Sequence, residues 1–189
     1  MASINEYYSQ IKDDYCFGGV AGYMAHHDGT LIGIPSNVDI LDITSIEMRS
    51  KYNMVWDMCE VFRTVVLKEF SFPEIENEKF CPEDLILNRI STKYKFRVFN
   101  RVIYYRDYLD GGLTDKIVRI RMNSPIASMM CYAEQIRHDI PVILKIKSLI
   151  NYWRFRFCYK GKDIIPVISK IWIWTAPLGL LMHLNDLRK

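Results

Sequence analysis

The run Phe17 to Ala25 restricts the fold more than any other stretch of the chain. It is uncharged, apolar and punctuated by three glycines, which predicts a buried strand with neighbouring backbones close by. A strand buried in this way needs other elements to cover it, and the flanking sequence supplies them. Ser3 can cap a helix from Ile4 to about Lys12, with Glu6 placed as in a capping box. Asp28-Gly29 signals a hairpin leading to a short strand, Thr30 to Ile34, which Pro35-Ser36-Asn37 breaks. Thr44 to Lys51 reads as a short helix, Val55 to Arg63 as a strand, and the acidic, proline-bounded Pro73 to Lys79 as a loop. Pro82 suits the first position of a helix running to Lys93, with Glu83 and Asp84 in its dipole-favoured first turn.

Further strands are predicted at Phe96 to Phe99 and Val102 to Tyr105, followed by a turn at Asp110-Gly111-Gly112. Thr114 or Asp115 then begins a basic helix to about Met122. Beyond Pro125 the pattern is helical: one segment to about Asp139, another from Pro141 to Tyr159, then an apolar terminal stretch. The sequence thus predicts an α/β fold, a mixed sheet with flanking helices over 1–122 and a basic helical tail over 123–189.

Composition excludes several classes. Half of the 189 residues are apolar and a quarter are charged, which is incompatible with a disordered or collagen-like chain. The net charge of +3 conceals a division. Residues 1–92 hold seven Lys/Arg against fifteen Asp/Glu, net −8; residues 93–189 hold eighteen against seven, net +11. Five widely spaced cysteines without a C-x-x-C pair point to reduced thiols and a cytoplasmic setting. The stretch Ile164 to Leu184 contains Lys170, Pro166 and Pro177, so it suits a membrane interface or a packed terminal helix better than a spanning one.

Few residues stand out chemically. Glu83 and Asp84, adjacent carboxylates beside apolar neighbours, suit a general base and equally the ordinary acidic first turn of a helix. Asp57, Glu60 and Arg63 alternate imperfectly with apolar residues, as polar groups lining a cleft would; a Glu60–Arg63 ion pair explains them as well. His26-His27 lacks partners at zinc-ligand spacing and reads as a solvated loop. Arg97 to Tyr108 is rich in Arg and Tyr, but its alternation suits a strand with one wet face, and nucleic acid is not an expected partner. There is no phosphate-binding glycine loop, no nucleophile elbow and no dinucleotide fingerprint.

One contiguous stretch adds to this reading. Val61-Phe62-Arg63-Thr64, Leu67-Lys68-Glu69-Phe70, Phe72-Pro73-Glu74 and Glu78-Lys79-Phe80 lead into Pro82-Glu83, followed by Asn88-Arg89-Ile90 and Lys93-Tyr94-Lys95. The stretch resembles the C-terminal half of a bacterial family 2 glycosyltransferase of the GT-A kind. The resemblance extends through Asp110-Gly111-Gly112-Leu113-Thr114 to Arg119 and Arg121, and more weakly to both ends of the chain.

The resemblance implies a partial GT-A-like (Rossmann-like) fold and transfer of a sugar from a nucleotide-sugar donor to a saccharide or lipid-linked acceptor in surface-polysaccharide synthesis. It implies that Asp84 or Glu83 removes the acceptor hydroxyl's proton, with Asp84 favoured. Asp57, Glu60 and Arg63 would line the same cleft, and the turn Asp110, Gly111, Gly112 and Thr114 would close over the donor phosphates. The complete family enzyme would hold Mg or Mn on a D-x-D motif, which this chain does not contain. The donor-binding half is likewise absent from these residues. This implies a truncated product, the acceptor side of a two-chain enzyme or a piece of a longer protein, inactive alone and open to pairing with a donor-half chain or with itself. A non-catalytic module docking on a partner chain or an anionic membrane is the alternative, favoured by the +11 half and the tail. The expected setting is the cytoplasm, with a peripheral place on the inner face of the membrane as an option the tail leaves open.

Overall fold

The computed structural model describes residues 1–34, 37–54, 56–162 and 164–188. In chain order the elements are α1 (Ala2–Ser9), β1 (Phe17–Ala25), β2 (Leu31–Ile32), β3 (Ile40–Ile43), α2 (Ser45–Ser50), β4 (Met58–Phe62), α3 (Thr64–Glu69) and α4 (Glu83–Ile90). They continue with β5 (Lys95–Tyr105), α5 (Leu113–Met122), α6 (Pro125–Gln135), α7 (Val142–Arg156), a 3-10 helix (Lys170–Thr175) and α8 (Ala176–Asp186). The protein is mixed α/β, with one open mixed sheet of five strands among the described residues. It divides into two compact units, Met1–Ser71 with Arg89–Leu109, and Phe72–Asn88 with Asp110–Lys189. Loop 72–82 and α5 fall in the second unit with α6, α7 and α8.

The sheet is in the first unit, and β1 is its centre. β1 pairs in parallel with β5 on one side. On the other side it pairs antiparallel with β4, Gly19 opposite Phe62 through Tyr23 opposite Met58, and with β2 through Met24 and Ala25. β3 lies beyond β5, antiparallel to it, Ile40 opposite Phe99 through Ile43 opposite Phe96. Every β1 residue except Met24 is buried. A β-carbon at Gly19 would stand 2.0 Å from the Val61 carbonyl oxygen, so β4 can approach this closely only where the side chain is missing.

The two strands expected at 96–99 and 102–105 form one, β5. Its register against β1 jumps between Ala21–Val98 and Tyr23–Val102, so the polar residues Asn100 and Arg101 fall at a bulge rather than ending the strand.

α1 packs on the sheet through Tyr7, with Ile11 just beyond it; both meet Phe17, Val20 and Phe99, and the Tyr7 and Phe99 rings stack 4.0 Å apart. Ser3 lies inside α1 and caps nothing; the helix starts one residue after Met1 without a side-chain cap. A capping box does form at α2, where Thr44 Oγ1 accepts from the Glu47 N–H and the Glu47 carboxylate accepts from the Thr44 N–H. That backbone hydrogen bond holds the Glu47 carboxyl below its ordinary range. The break expected at Pro35-Ser36 and the strand start at Val55 lie outside the described residues.

The second unit has a helical core of its own. Ile126, Met129 and Ala133 of α6 pack with Tyr152 and Phe155 of α7. α8 lies on α7 at Gly179, where a β-carbon would be 2.4 Å from Trp153 Cβ. The Asp186 carboxylate receives both Nε and Nη2 of Arg154, and its side chain is only 4% exposed. Among the described residues no helix is long and apolar enough to cross a membrane.

Two outcomes are expected. Gly19→Ala should destabilise the chain by about 3 kcal/mol, at the upper end of overpacking costs because the obstructing atom is backbone, read as a drop in the denaturant midpoint at unchanged m. His138, just beyond α6, is half-buried, and burial holds its imidazole below the ordinary value of 6.5. The folded chain therefore binds that proton less readily than the unfolded one. Stability present above pH 6.5 falls as pH drops through the folded value. The loss of melting temperature between pH 7 and pH 5 should be smaller in His138→Gln.

Candidate functional site

The residues singled out in the sequence fall in both units. Glu83, Asp84 and the 110–114 turn belong to the second; Asp57, Glu60 and Arg63 belong to the first.

In the second unit, Leu85, Ile86 and Leu87 are buried and fix α4 by its apolar face. Asn88 is buried too, its side-chain amide donating to the Cys131 carbonyl at 3.5 Å. This anchoring gives the two carboxylates at the start of α4 different surroundings. Asp84 is half-buried, with Arg121 Nη2 3.8 Å away. The same guanidinium donates through Nη1 to the Tyr132 hydroxyl at 2.8 Å. Burial pushes the Tyr132 hydroxyl above its ordinary range, and Arg121 opposes that rise. Glu83 is exposed and makes no ion pair among the described residues. One carboxylate is thus held within the structure, while its neighbour lies on the surface.

The loop leading into Glu83 surrounds a groove of about 630 Å³, lined among others by Phe72, Glu74, Glu76, Lys79 and Phe80. Glu78 in the same loop has a different task. Its carboxylate accepts from the Ile126 and Ala127 N–H groups, at 2.6 and 2.8 Å, and so satisfies the open N-terminus of α6. Asp110, Gly111 and Thr114 are exposed and Gly112 is half-buried. Gly111 takes φ +69°, a left-handed conformation that favours glycine, and its N–H donates to Asp115 Oδ2 at 2.7 Å.

In the first unit, Asp57 forms an ion pair with Arg106 and accepts from the Tyr108 hydroxyl at 2.9 Å. The Arg106 guanidinium also lies 4.6 Å from the centre of the Tyr108 ring. Next to this trio, His26 Nδ1 is 3.0 Å from Asp107 Oδ1. His26-His27 lies in a loop, as expected, and His26 is tied there to Asp107, two residues past the end of β5. Its hydrogen bond holds the Asp107 carboxyl below the usual carboxylate range, whereas burial raises the Tyr108 hydroxyl. Glu60 is half-buried on β4 opposite Ala21. Arg63 donates to the Ile11 and Asp14 carbonyl oxygens and stacks over Tyr8, so its charge fastens the turn after α1.

Sequence reasoning named Glu78 and Arg121 within the resembling stretch and Arg106 to Tyr108 within an Arg- and Tyr-rich strand, but gave none of them its structural task. The partners Ile126, Asp84, Asp57 and His26 lie 37 to 81 residues away, and no local spacing announces them. Among the described residues, no group of three or more His, Cys, Asp or Glu side chains is placed to hold a metal ion.

Fold and site define a mixed α/β protein with an exposed carboxylate at a buried helix's start. Comparison with protein-family models, curated proteins and solved structures gives no match to the chain.

Glu78→Ala should destabilise the second unit by about 1–2 kcal/mol, since two N–H groups of α6 lose a charged acceptor. Amide exchange at Ile126 and Ala127 should rise in step; unchanged exchange there would remove the capping role.

Proposed function

We propose that this chain is the acceptor-side part of a family 2 glycosyltransferase with a GT-A-like sheet. It would carry a sugar from a nucleotide-sugar donor to a saccharide or lipid-linked acceptor during surface-polysaccharide synthesis. The reading starts from the resemblance over residues 60–122. The observation that supports it best is Glu83, an exposed carboxylate directly after a groove-forming loop. The groove's size suits a small ligand, and its aromatic rings and carboxylates match the apolar faces and hydroxyls of a sugar.

In this reading Glu83 is the general base. It takes the proton of the acceptor hydroxyl as that oxygen bonds to the donor's anomeric carbon and the bond to the nucleoside diphosphate breaks. Asp84 suits the task less well, because it is half-buried beside Arg121, whereas Glu83 is exposed. Asp84 instead positions the start of α4. The exposed turn at 110–114, with Lys116 and Arg119 behind it, supplies cationic charge for the donor's phosphates. Donor-binding elements and the ligands of any Mg or Mn ion are to be sought outside these 189 residues. The chain would act in the cytoplasm, against the inner face of a membrane bearing lipid-linked acceptors. A second reading, a non-catalytic docking module, is favoured by the apolar surface of the tail.

The test supplies the chain with a donor-binding half, nucleotide sugars, acceptor and Mg or Mn, and follows nucleoside diphosphate release. Glu83→Gln should lower kcat by about 10²–10⁴, the range for loss of a general base, with little change in KM. Asp84→Asn should cost less in rate and more in melting temperature. Full activity in Glu83→Gln would overturn the assignment of the base, and absence of release under every combination would overturn the transferase reading.

A further inference from the structure

α8 is built inside out. Its inward positions are Gly179, His183 and Asp186, one face at i, i+4 and i+7. Gly179 is buried against Trp153, Asp186 is paired with Arg154, and His183 Nδ1 lies 3.4 Å from Cys158 Sγ. The small and polar residues thus face the protein, and the leucines face away. Leu178, Leu181 and Leu184 are 44, 64 and 44% exposed. The preceding 3-10 helix continues the pattern with Ile171 and Trp174, 73 and 52% exposed. A helix packed only for this fold would carry the opposite arrangement.

Charge narrows the choice of what covers this face. From residue 142 to the end the sequence has nine Lys/Arg against two Asp/Glu. One of those two acids, Asp186, is already neutralised by Arg154. Lys160, Lys162, Lys170 and Arg188 are exposed, and Lys170 and Arg188 adjoin Ile171 and Leu187 in the sequence. A second copy of the chain would bring the same cationic segment against itself, whereas an anionic lipid surface complements it. Tryptophan at the edge of an apolar band and lysines whose stems can lie along it suit the boundary between headgroups and acyl chains. With only eleven residues, α8 is far too short to span a bilayer and fits lying in its plane.

We infer that the 3-10 helix and α8 form an interfacial anchor that seats the second unit on an anionic membrane through the outward leucines, Ile171 and Trp174. The inference names the residues behind the membrane-facing part of the proposed function and rests on that reading for location only. Lipid binding is read without sugar transfer, so the anchor and the transferase can fail separately.

The full chain is sedimented with vesicles of phosphatidylcholine alone or with phosphatidylglycerol added. Binding should be at least about tenfold stronger to the anionic vesicles and should weaken as salt is raised. Leu178→Glu with Leu181→Glu alters only exposed positions and should reduce binding at least about tenfold at an unchanged melting temperature. Val65→Glu, at an equally exposed apolar residue of the first unit, should bind as the parent does. Failure of the parent chain to sediment, or equal sedimentation of the double variant, would overturn the anchor. So would a parent chain that self-associates without binding vesicles and becomes monomeric in the double variant, since the leucine face would then join two copies.

Discussion

The contact between Gly19 and the Val61 carbonyl governs the first unit. β1 has neighbours on both edges and is covered on both faces, and β4 approaches it at a point where no β-carbon can be accommodated. β5 runs parallel beside β1, β3 is laid on β5, and α1 closes over Val20 and Phe99. Arg63, one residue past β4, then reaches back to the turn after α1. Each of these placements presupposes the first, so the sheet is organised outward from one missing side chain.

The second unit is organised by charges rather than by a strand. Glu78 satisfies the start of α6, Arg121 bridges Asp84 and Tyr132, and Arg154 holds Asp186. Two of these pairs are half-buried or better, where solvent screens them less than an exposed pair. Arg121 ties Asp84 at the start of α4, while Glu83 beside it stays exposed. A held neighbour and an exposed carboxylate are what the proposed proton transfer needs, since a base must be oriented without being committed to a partner.

The parts of this architecture legible in the sequence were those encoded by neighbours in the chain. β1, α4 and the turn at 110–112 follow from glycine content, a helix-starting proline and an Asp-Gly-Gly signal, and α2 was expected as a short helix without notice of its Thr44–Glu47 capping box. α1 was legible as a helix, yet its start was not, because Ser3 has capping chemistry without the geometry to use it. β5 was split in expectation because Asn100 and Arg101 look like a strand end, and only pairing with β1 turns them into a bulge. For the candidate site, Glu83 and Asp84 were visible as a pair but not as opposites. Only Arg121, folded back from 37 residues downstream, separates the two. The task of Glu78 was hidden for the same reason, since an acidic loop and a helix cap have the same composition.

That cap also bears on how the chain becomes folded. The acceptor for the first turn of α6 comes from 48 residues earlier in the sequence. A helix capped by its own residues can stabilise its first turn as soon as it forms. Here the first turn gains its acceptor only once the chain from 78 to 126, which includes α4, β5 and α5, has closed into a loop. Closing a loop of that length carries its entropic cost before the hydrogen bonds offset it. The N-terminal turn of α6 should therefore be among the last parts of the second unit to become protected during refolding, although the helix it begins lies at the heart of that unit's core.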